Sequence, residues 1–289
     1  MARIILDWFG VTLAGFEEPV SRILRAEFAS SSSGTASIVG TAERVAPARA
    51  ALINGTTSHA MDYDDVQMLI GHPSTVIVPA ALAVAQERGA SEDEFLRAVI
   101  AGTDAARFVG SLVMPAHYDS GFHSTATVGA FGAAVASGVL MQLDEEQLAC
   151  AVGLAATQAA GLKCMFGTMA KPFHAGRAAS AGVDAARLAA RGMTAERHSL
   201  EAAQGFLATQ AGQGIPPGWS APRHGEGLRE MLFKFHASCY LTHPAVEATR
   251  APKERHGLSA ASMHRIRVRV PESCLSGFAS DAPSPRRGG

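Results

Sequence analysis

Ser124-Thr-Ala-Thr-Val-Gly-Ala-Phe-Gly-Ala-Ala-Val-Ala-Ser-Gly-Val-Leu140 is built almost wholly of small and aliphatic residues. Gly129, Ala130, Gly132, Ala133, Ala134 and Ala136 carry so little bulk that the run reads as a helix whose backbone can lie close against its neighbours. Helical signals continue on both sides. Upstream, Arg3 to Ala14 and Pro19 to Ala29 are periodic apolar segments separated by a Ser30–Gly34 loop from a helix expected over Ala42 to Ala60. Pro73-Ser74 opens another through Ala85, with Pro79 as a kink or early-turn residue. Ser91 and Glu94 have the spacing of a capping box for a helix to about Val109. Downstream, Asp144-Glu-Glu-Gln147 caps a helix through Ala160, and Lys171 to Arg191 forms the next, closed by Gly192.

After residue 210 the pattern changes. Gly212, Gly214, Pro216-Pro217-Gly218 and the stretch from Pro222 to Gly227 form a turn-rich link. The apolar Met231 to Phe235 follows, then a helix expected over Cys239 to Arg250. His264-Arg-Ile-Arg-Val-Arg-Val270 alternates as a strand with one wet face does. The fold class read from this pattern is mainly α. A large helical domain covers 1–228, and the beginning of a smaller α+β domain covers 229–289, ending in an irregular tail.

Composition narrows the function. The 289 residues are 47% hydrophobic but only 6% aromatic and 18% charged, with net charge −1. That balance gives no electrostatic case for nucleic acid or an anionic membrane as partner. No apolar run reaches the roughly 18 residues of a membrane span, and Asp7 interrupts the apolar start where a signal peptide would continue. Cys150, Cys164, Cys239 and Cys274 contain no CxxC pair and read as reduced thiols of a cytoplasmic protein. There is no GxSxG elbow, P-loop or GxGxxG motif.

In a chain this poor in charge, clustered ionisable groups stand out. Asn54-Gly-Thr-Thr-Ser-His-Ala-Met-Asp-Tyr-Asp-Asp65, with Gly71-His-Pro-Ser74, gathers three carboxylates and two imidazoles. Such groups are costly to bury unless paired or used. Asp62 and His72 are candidates for proton transfer, while Asp64-Asp65 reads either as part of a site or as a polar helix end. The spacing matches no HExxH or EF-hand motif, so no metal is expected. His123 stands just ahead of a helix N-terminus, where the dipole disfavours imidazolium and suits a neutral base. Lys171, His174 and Arg177 recur at i, i+3 and i+6 at a helix start, with Pro172 in the first turn. Cations beside free helix amides can hold an anion. Lys234, between Phe233 and Phe235, is either an exposed strand residue or a cation aimed into a cleft. His243 reads as structural and Cys239 as a buried thiol.

Together these segments resemble the MmgE/PrpD family, which includes 2-methylcitrate dehydratase, cis-aconitate decarboxylase and iminodisuccinate epimerase. The matching stretches are Ile4 to Gly15, Asn54 to Asp65, Gly71 to Ser74, Gly121 to His123, Phe166 to Arg177, Glu201 to Phe206 and Lys234 to Pro244. They occur in family order over about residues 1–270. The resemblance implies a helical domain with an α+β lid, a homodimer, and cofactor-independent chemistry on a small di- or tricarboxylate. The site residues it implies are Asp62, His72, His123, Lys171 and Lys234. His123 would be the base, His72 the acid with Asp62 as its orienter, and the two lysines the carboxylate anchors. The reaction expected is a 2-methylcitrate dehydratase-like elimination; decarboxylation and epimerisation need the same groups. Val66 stands where cis-aconitate decarboxylases carry Thr, and His236 where an aromatic residue is common. The N-terminus lacks the family's usual first helix. The chain stops where the lid would continue, and its tail from Ser280 is unlike the family, so a truncated, inactive member is the alternative expectation.

Overall fold

The structure, a computed structural model, describes residues 1–29 and 33–270. The expected Ser30–Gly34 loop falls partly, and the tail from Pro271 with Cys274 wholly, outside the described residues. The chain divides into two compact units, Met1–Ala237 and Ser238–Gly289.

The first unit begins with α1 (Ala2–Ala14) and α2 (Pro19–Phe28), then a two-residue antiparallel pair, β1 (Ala36–Ser37) with β2 (Arg44–Val45). Helix α3 spans Pro47–His59 rather than starting at Ala42. The reason is local. Pro47 pushes the residue before it out of the α region, and Ala46 sits at ψ 144°. Val45, meanwhile, is paired with Ala36. Helix α4 (Ser74–Arg88) continues through Pro79, and α5 (Glu92–Val113) outruns the expected end at Val109. The short α6 (Ala116–Asp119) leads to α7 (Ser124–Leu140) and α8 (Glu145–Ala156), the latter ending four residues before the expected Ala160. Both capping boxes form: Ser91 Oγ accepts from the Glu94 amide, and Asp144 Oδ1 from the Gln147 amide. Helix α9 (Ala170–Ala190) closes as expected. Gly192 sits at φ +88°, its amide donating to Ala189 and that of Met193 to Leu188. Two short helices, α10 (Phe206–Gln210) and α11 (Glu226–Arg229), punctuate the link.

Helices α3, α4, α7 and α9 pack on one another, with α5 against α7. Their buried faces are largely Ala, Gly and Val, as the opening run anticipates. The crossing of α3 and α9 is the tightest case. A Cβ on Gly55 would lie 2.8 Å from the Thr75 carbonyl oxygen and 3.0 Å from the Gly176 Cα. A Cβ on Gly176 would run into the Leu52 carbonyl and the Thr56 hydroxyl. Bare glycine on both helices therefore sets their separation, and the chain leaving α3 meets the first turn of α9.

The second unit holds a 3₁₀ turn (Tyr240–Thr242) and α12 (His243–His256). The expected Cys239 start shifts to His243 because Pro244, with fixed φ and no amide proton, belongs in a first turn. Residues 264–270 are not a strand. An alternating pattern becomes a strand only when a neighbour supplies backbone partners, and among the described residues none pairs with this segment; Ile266 and Val268 are exposed. No helix among the described residues is long and apolar enough to cross a membrane.

Candidate active site

The site assembles in the first unit, where α3 gives way to an irregular segment. His59 is the last residue of α3. Asp62, three residues on, takes φ +51°, a left-handed conformation that Asp and Asn tolerate better than most residues. This turn presents both Asp62 carboxylate oxygens to cations. Oδ2 lies 2.7 Å from Lys171 Nζ and Oδ1 2.7 Å from Lys234 Nζ. Lys171 comes from the first turn of α9. Lys234 arrives because residues 66 and 232 form an antiparallel bridge, each amide donating to the other's carbonyl at 2.8 Å. Two residues beyond Leu232, Lys234 returns to the same side as that contact. Its side chain is fully buried, so the exposed-strand alternative fails; its Nζ also donates to the Asp62 carbonyl. A second strap reinforces the bridge: Gln67 Nε2 donates to Glu230, whose carboxylate also pairs with Arg107.

The histidines lie beside this ion-paired triad. Gly71 sits at φ +102°, and a Cβ there would strike the Thr125 hydroxyl; in its absence that hydroxyl accepts the His72 amide. This contact joins the His72 loop to the start of α7, where His123 is the N-cap. The His72 ring is oriented by Asp64, with Nδ1 2.8 Å from Oδ2, while its Nε2 is 3.7 Å from Asp62. Asp64 also takes His59, whose Nδ1 lies 2.9 and 3.0 Å from its two oxygens. A carboxylate only accepts, so His59 Nδ1 donates to Asp64; His72 Nδ1 also faces the Asp65 carbonyl oxygen at 2.9 Å, another acceptor, so it too carries the proton. His59 Nε2 is buried and has no hydrogen-bond partner among the described residues. The His59 ring is 4.6 Å from His72 and stacks 5.9 Å from His123, which meets Phe166 edge-on at 4.9 Å. On its other side, His123 Nδ1 is 3.2 Å from His174 Nδ1.

Burial sets the protonation states. It pushes His72 down from 6.5 to about 4: Asp64 opposes the shift, while Lys234 and His59 add to it. It holds His123 well below the ordinary imidazole range, assisted by His59 and Lys171, and lowers His174 too. Burial alone would raise Asp62, but the His72 imidazole and the ammonium groups of Lys171 and Lys234 outweigh it and keep the carboxyl ionised. Asp64 behaves alike, through His59 and His72. Asp65 goes the other way: burial and the neighbouring Asp64 push it well up, against the opposing hydrogen bond it accepts from the Ser74 hydroxyl at 2.9 Å. Burial and Asp64 lift Asp7 to about 6.

His59, Asp62, Asp64 and His72 place donor atoms within 4.8 Å of one another, a spacing that a divalent ion could span. Those atoms are already committed, Asp62 to two ammonium groups and both Nδ1 atoms to Asp64. The arrangement is that of an internally paired acid–base cluster.

A model of the MmgE/PrpD N-terminal domain matches residues 1–216, which carry this whole cluster except Lys234. The chain belongs to the MmgE/PrpD family. Among its relatives, a cis-aconitate decarboxylase of Aspergillus terreus is 28% identical over 283 residues, covering 91% of this chain and 58% of that protein. The cis-aconitate decarboxylase of Homo sapiens is 27% identical over 283 residues, covering 93% and 59%. The chain thus spans under three fifths of the length of these curated relatives.

Within this MmgE/PrpD chain, Asp62, His72, His123, Lys171 and Lys234 converge. The basic turn of α9 divides: Lys171 meets Asp62, His174 meets His123, and Arg177 stays exposed. Sequence reasoning counted His59 among the clustered imidazoles but gave it no role, and gave Asp64 a possible bland role as a helix end. It named Asp62 as the orienter of His72, where the structure places the shorter contact at Asp64. The available signal was the low charge content, which makes a solvated Asp64-Asp65 pair the less economical reading.

Proposed function

We propose that this site binds a small di- or tricarboxylate and carries out cofactor-independent lyase chemistry on it. The observation that carries the reading is the pair of lysines held at one carboxylate beside buried, neutral histidines. A carboxylate of the substrate would share or replace Asp62 between Lys171 and Lys234. His123 would remove the proton α to a carboxylate, and the fixed cations would lower the cost of the charge that develops. In a dehydration, the C–O bond then breaks as His72, carried into its imidazolium form by the bound polyanion with Nδ1–H still directed at Asp64, gives its Nε2 proton to the departing hydroxyl, which leaves as water. No metal or other cofactor enters this scheme. A 2-methylcitrate dehydratase-like elimination is the finer reading. Decarboxylation is the second, favoured by the likeness to cis-aconitate decarboxylases, and it needs the same anchors. The homodimer and cytoplasmic setting implied by the family resemblance belong to the same proposal.

The test is ligand-dependent melting of the purified chain with citrate, 2-methylcitrate, cis-aconitate and tartrate, followed by NMR of any substrate that binds. Stabilisation by one of them, lost in Lys171→Ala with helicity intact, supports the carboxylate site. Loss of water or of CO₂ then separates the two reactions. Equal shifts in both proteins would remove Lys171 from the site, and no shift with any of the four would end the reading.

A further inference from the structure

The two histidines that move protons in this scheme have ring partners of different charge. His72 Nδ1 faces the Asp64 carboxylate at 2.8 Å. His123 Nδ1 faces another imidazole, His174, at 3.2 Å. A hydrogen bond between two ring nitrogens needs one N–H and one lone pair. Were His174 the donor, the proton of neutral His123 would sit on Nε2, leaving no lone pair for substrate. With His123 as donor, Nε2 is bare.

The ring has little freedom to change partners. The His123 amide donates to the Gly161 carbonyl at 3.0 Å, and Phe166 and His59 cover the ring. Gly161 itself fits against the pair: a Cβ there would lie 3.4 Å from His174 Nδ1 and 3.5 Å from His123 Cβ. The titratable groups acting most strongly on His123 are His59 from α3, Lys171 and His174 from α9, and His72 from the loop before α4; the carboxylates of the cluster, Asp62 and Asp64, reach it through Lys171, His59 and His72. Lys171 and His174 stand three residues apart on α9, so one helical turn both anchors the substrate and holds the base.

We propose that His174 is a positioning residue that accepts the Nδ1–H of His123, leaving His123 Nε2 as the bare base. As an uncharged partner it fixes the tautomer of His123, while the Asp64 carboxylate stabilises the imidazolium from which His72 gives its proton. This rests on the proton-abstraction reading given above. A carboxylate partner stabilises imidazolium, as the aspartate of a serine-protease triad does, whereas a neutral acceptor fixes the tautomer without that bias.

The experiment uses the full chain with ¹⁵N-labelled histidine. Long-range ¹H–¹⁵N spectra report which ring nitrogen carries the proton, and cis-aconitate and 2-methylcitrate serve as the kinetic probes. The wild-type protein should show His123 protonated on Nδ1. His174→Asn, whose amide oxygen can still accept, should keep that tautomer and most of the rate. His174→Leu should mix the tautomers and lower kcat by about a hundredfold with little change in KM. His174→Asp should move the acid limb of the kcat/KM profile to higher pH, a change that a purely structural role would not produce. A wild-type His123 protonated on Nε2, or a tautomer unchanged in His174→Leu, overturns the proposal. If wild type turns over neither probe, the lyase reading is what fails; the tautomer of His123 in wild type and in His174→Asn still decides the role of His174.

Discussion

Replacing Asp62 by Asn removes a charge and almost nothing else. Asn tolerates the left-handed backbone at this position (φ +51°) as well as Asp does, so the substitution adds no conformational strain. It leaves two ammonium groups, each 2.7 Å from the lost carboxylate, without a counter-ion. At an effective dielectric constant of 20, each contact is worth about 6 kcal/mol of gross attraction. Desolvation of the charges, above all the fully buried Lys234, offsets most of that. Breaking a buried pair by deleting one partner costs about 3–5 kcal/mol. The Asp62 side chain is 24% exposed, and Lys234 keeps its contact with the backbone carbonyl of residue 62, so the lower end applies: about 3 kcal/mol. Urea unfolding monitored by circular dichroism, in buffer free of multivalent anions, measures this. Citrate should restore more stability to Asp62→Asn than to wild type, because a polycarboxylate supplies the missing charge. A loss below about 1 kcal/mol, with the same citrate response in both proteins, would refute the claim that Asp62 neutralises both lysines.

The remaining predictions concern packing and pH. Gly176→Ala should destabilise the first unit by about 3 kcal/mol or prevent its folding, since the new methyl meets the Leu52 carbonyl across the α3–α9 crossing; chemical denaturation measures the loss, and a neutral outcome would mean that the helices are not in that contact. His72 has its folded-state value lowered from 6.5 to about 4, so between these values the unfolded chain binds a proton that the folded one does not. His72 should therefore contribute a fall of about 3 kcal/mol as pH drops through that window, read as the difference between wild type and His72→Gln in a pH series of urea titrations. Asp7, raised to about 6, works in the opposite sense: its contribution is full below 3.8 and is lost as pH rises through 6, so Asp7→Asn should steepen the rise in stability between pH 4 and 6. A flat profile in Asp7→Asn would rule out the His72 assignment, and a profile identical to wild type would rule out that of Asp7.

Much of this protein is decided by local chemistry that the sequence carries openly. The two capping boxes, the glycine closing α9, and the small-residue character of α7 are consequences of a few adjacent residues, and each formed where the pattern placed it. The family motifs carried the convergence of Asp62, His72, His123, Lys171 and Lys234 in the same way. Where partners came from elsewhere, local reading erred. Val45 paired with Ala36 instead of joining the helix expected from Ala42, and 264–270 found no neighbour among the described residues to become a strand. The roles of His59, Asp64 and His174 were equally out of reach. Whether Asp64 is a solvated helix end or a buried acceptor for two imidazoles depends on how closely α3 and α9 cross and on the contact between Gly71 and Thr125. Spacing along the chain chooses the residue types available to a site. Only the close packing of distant glycines fixes which of their atoms meet, and so which protons each can hold.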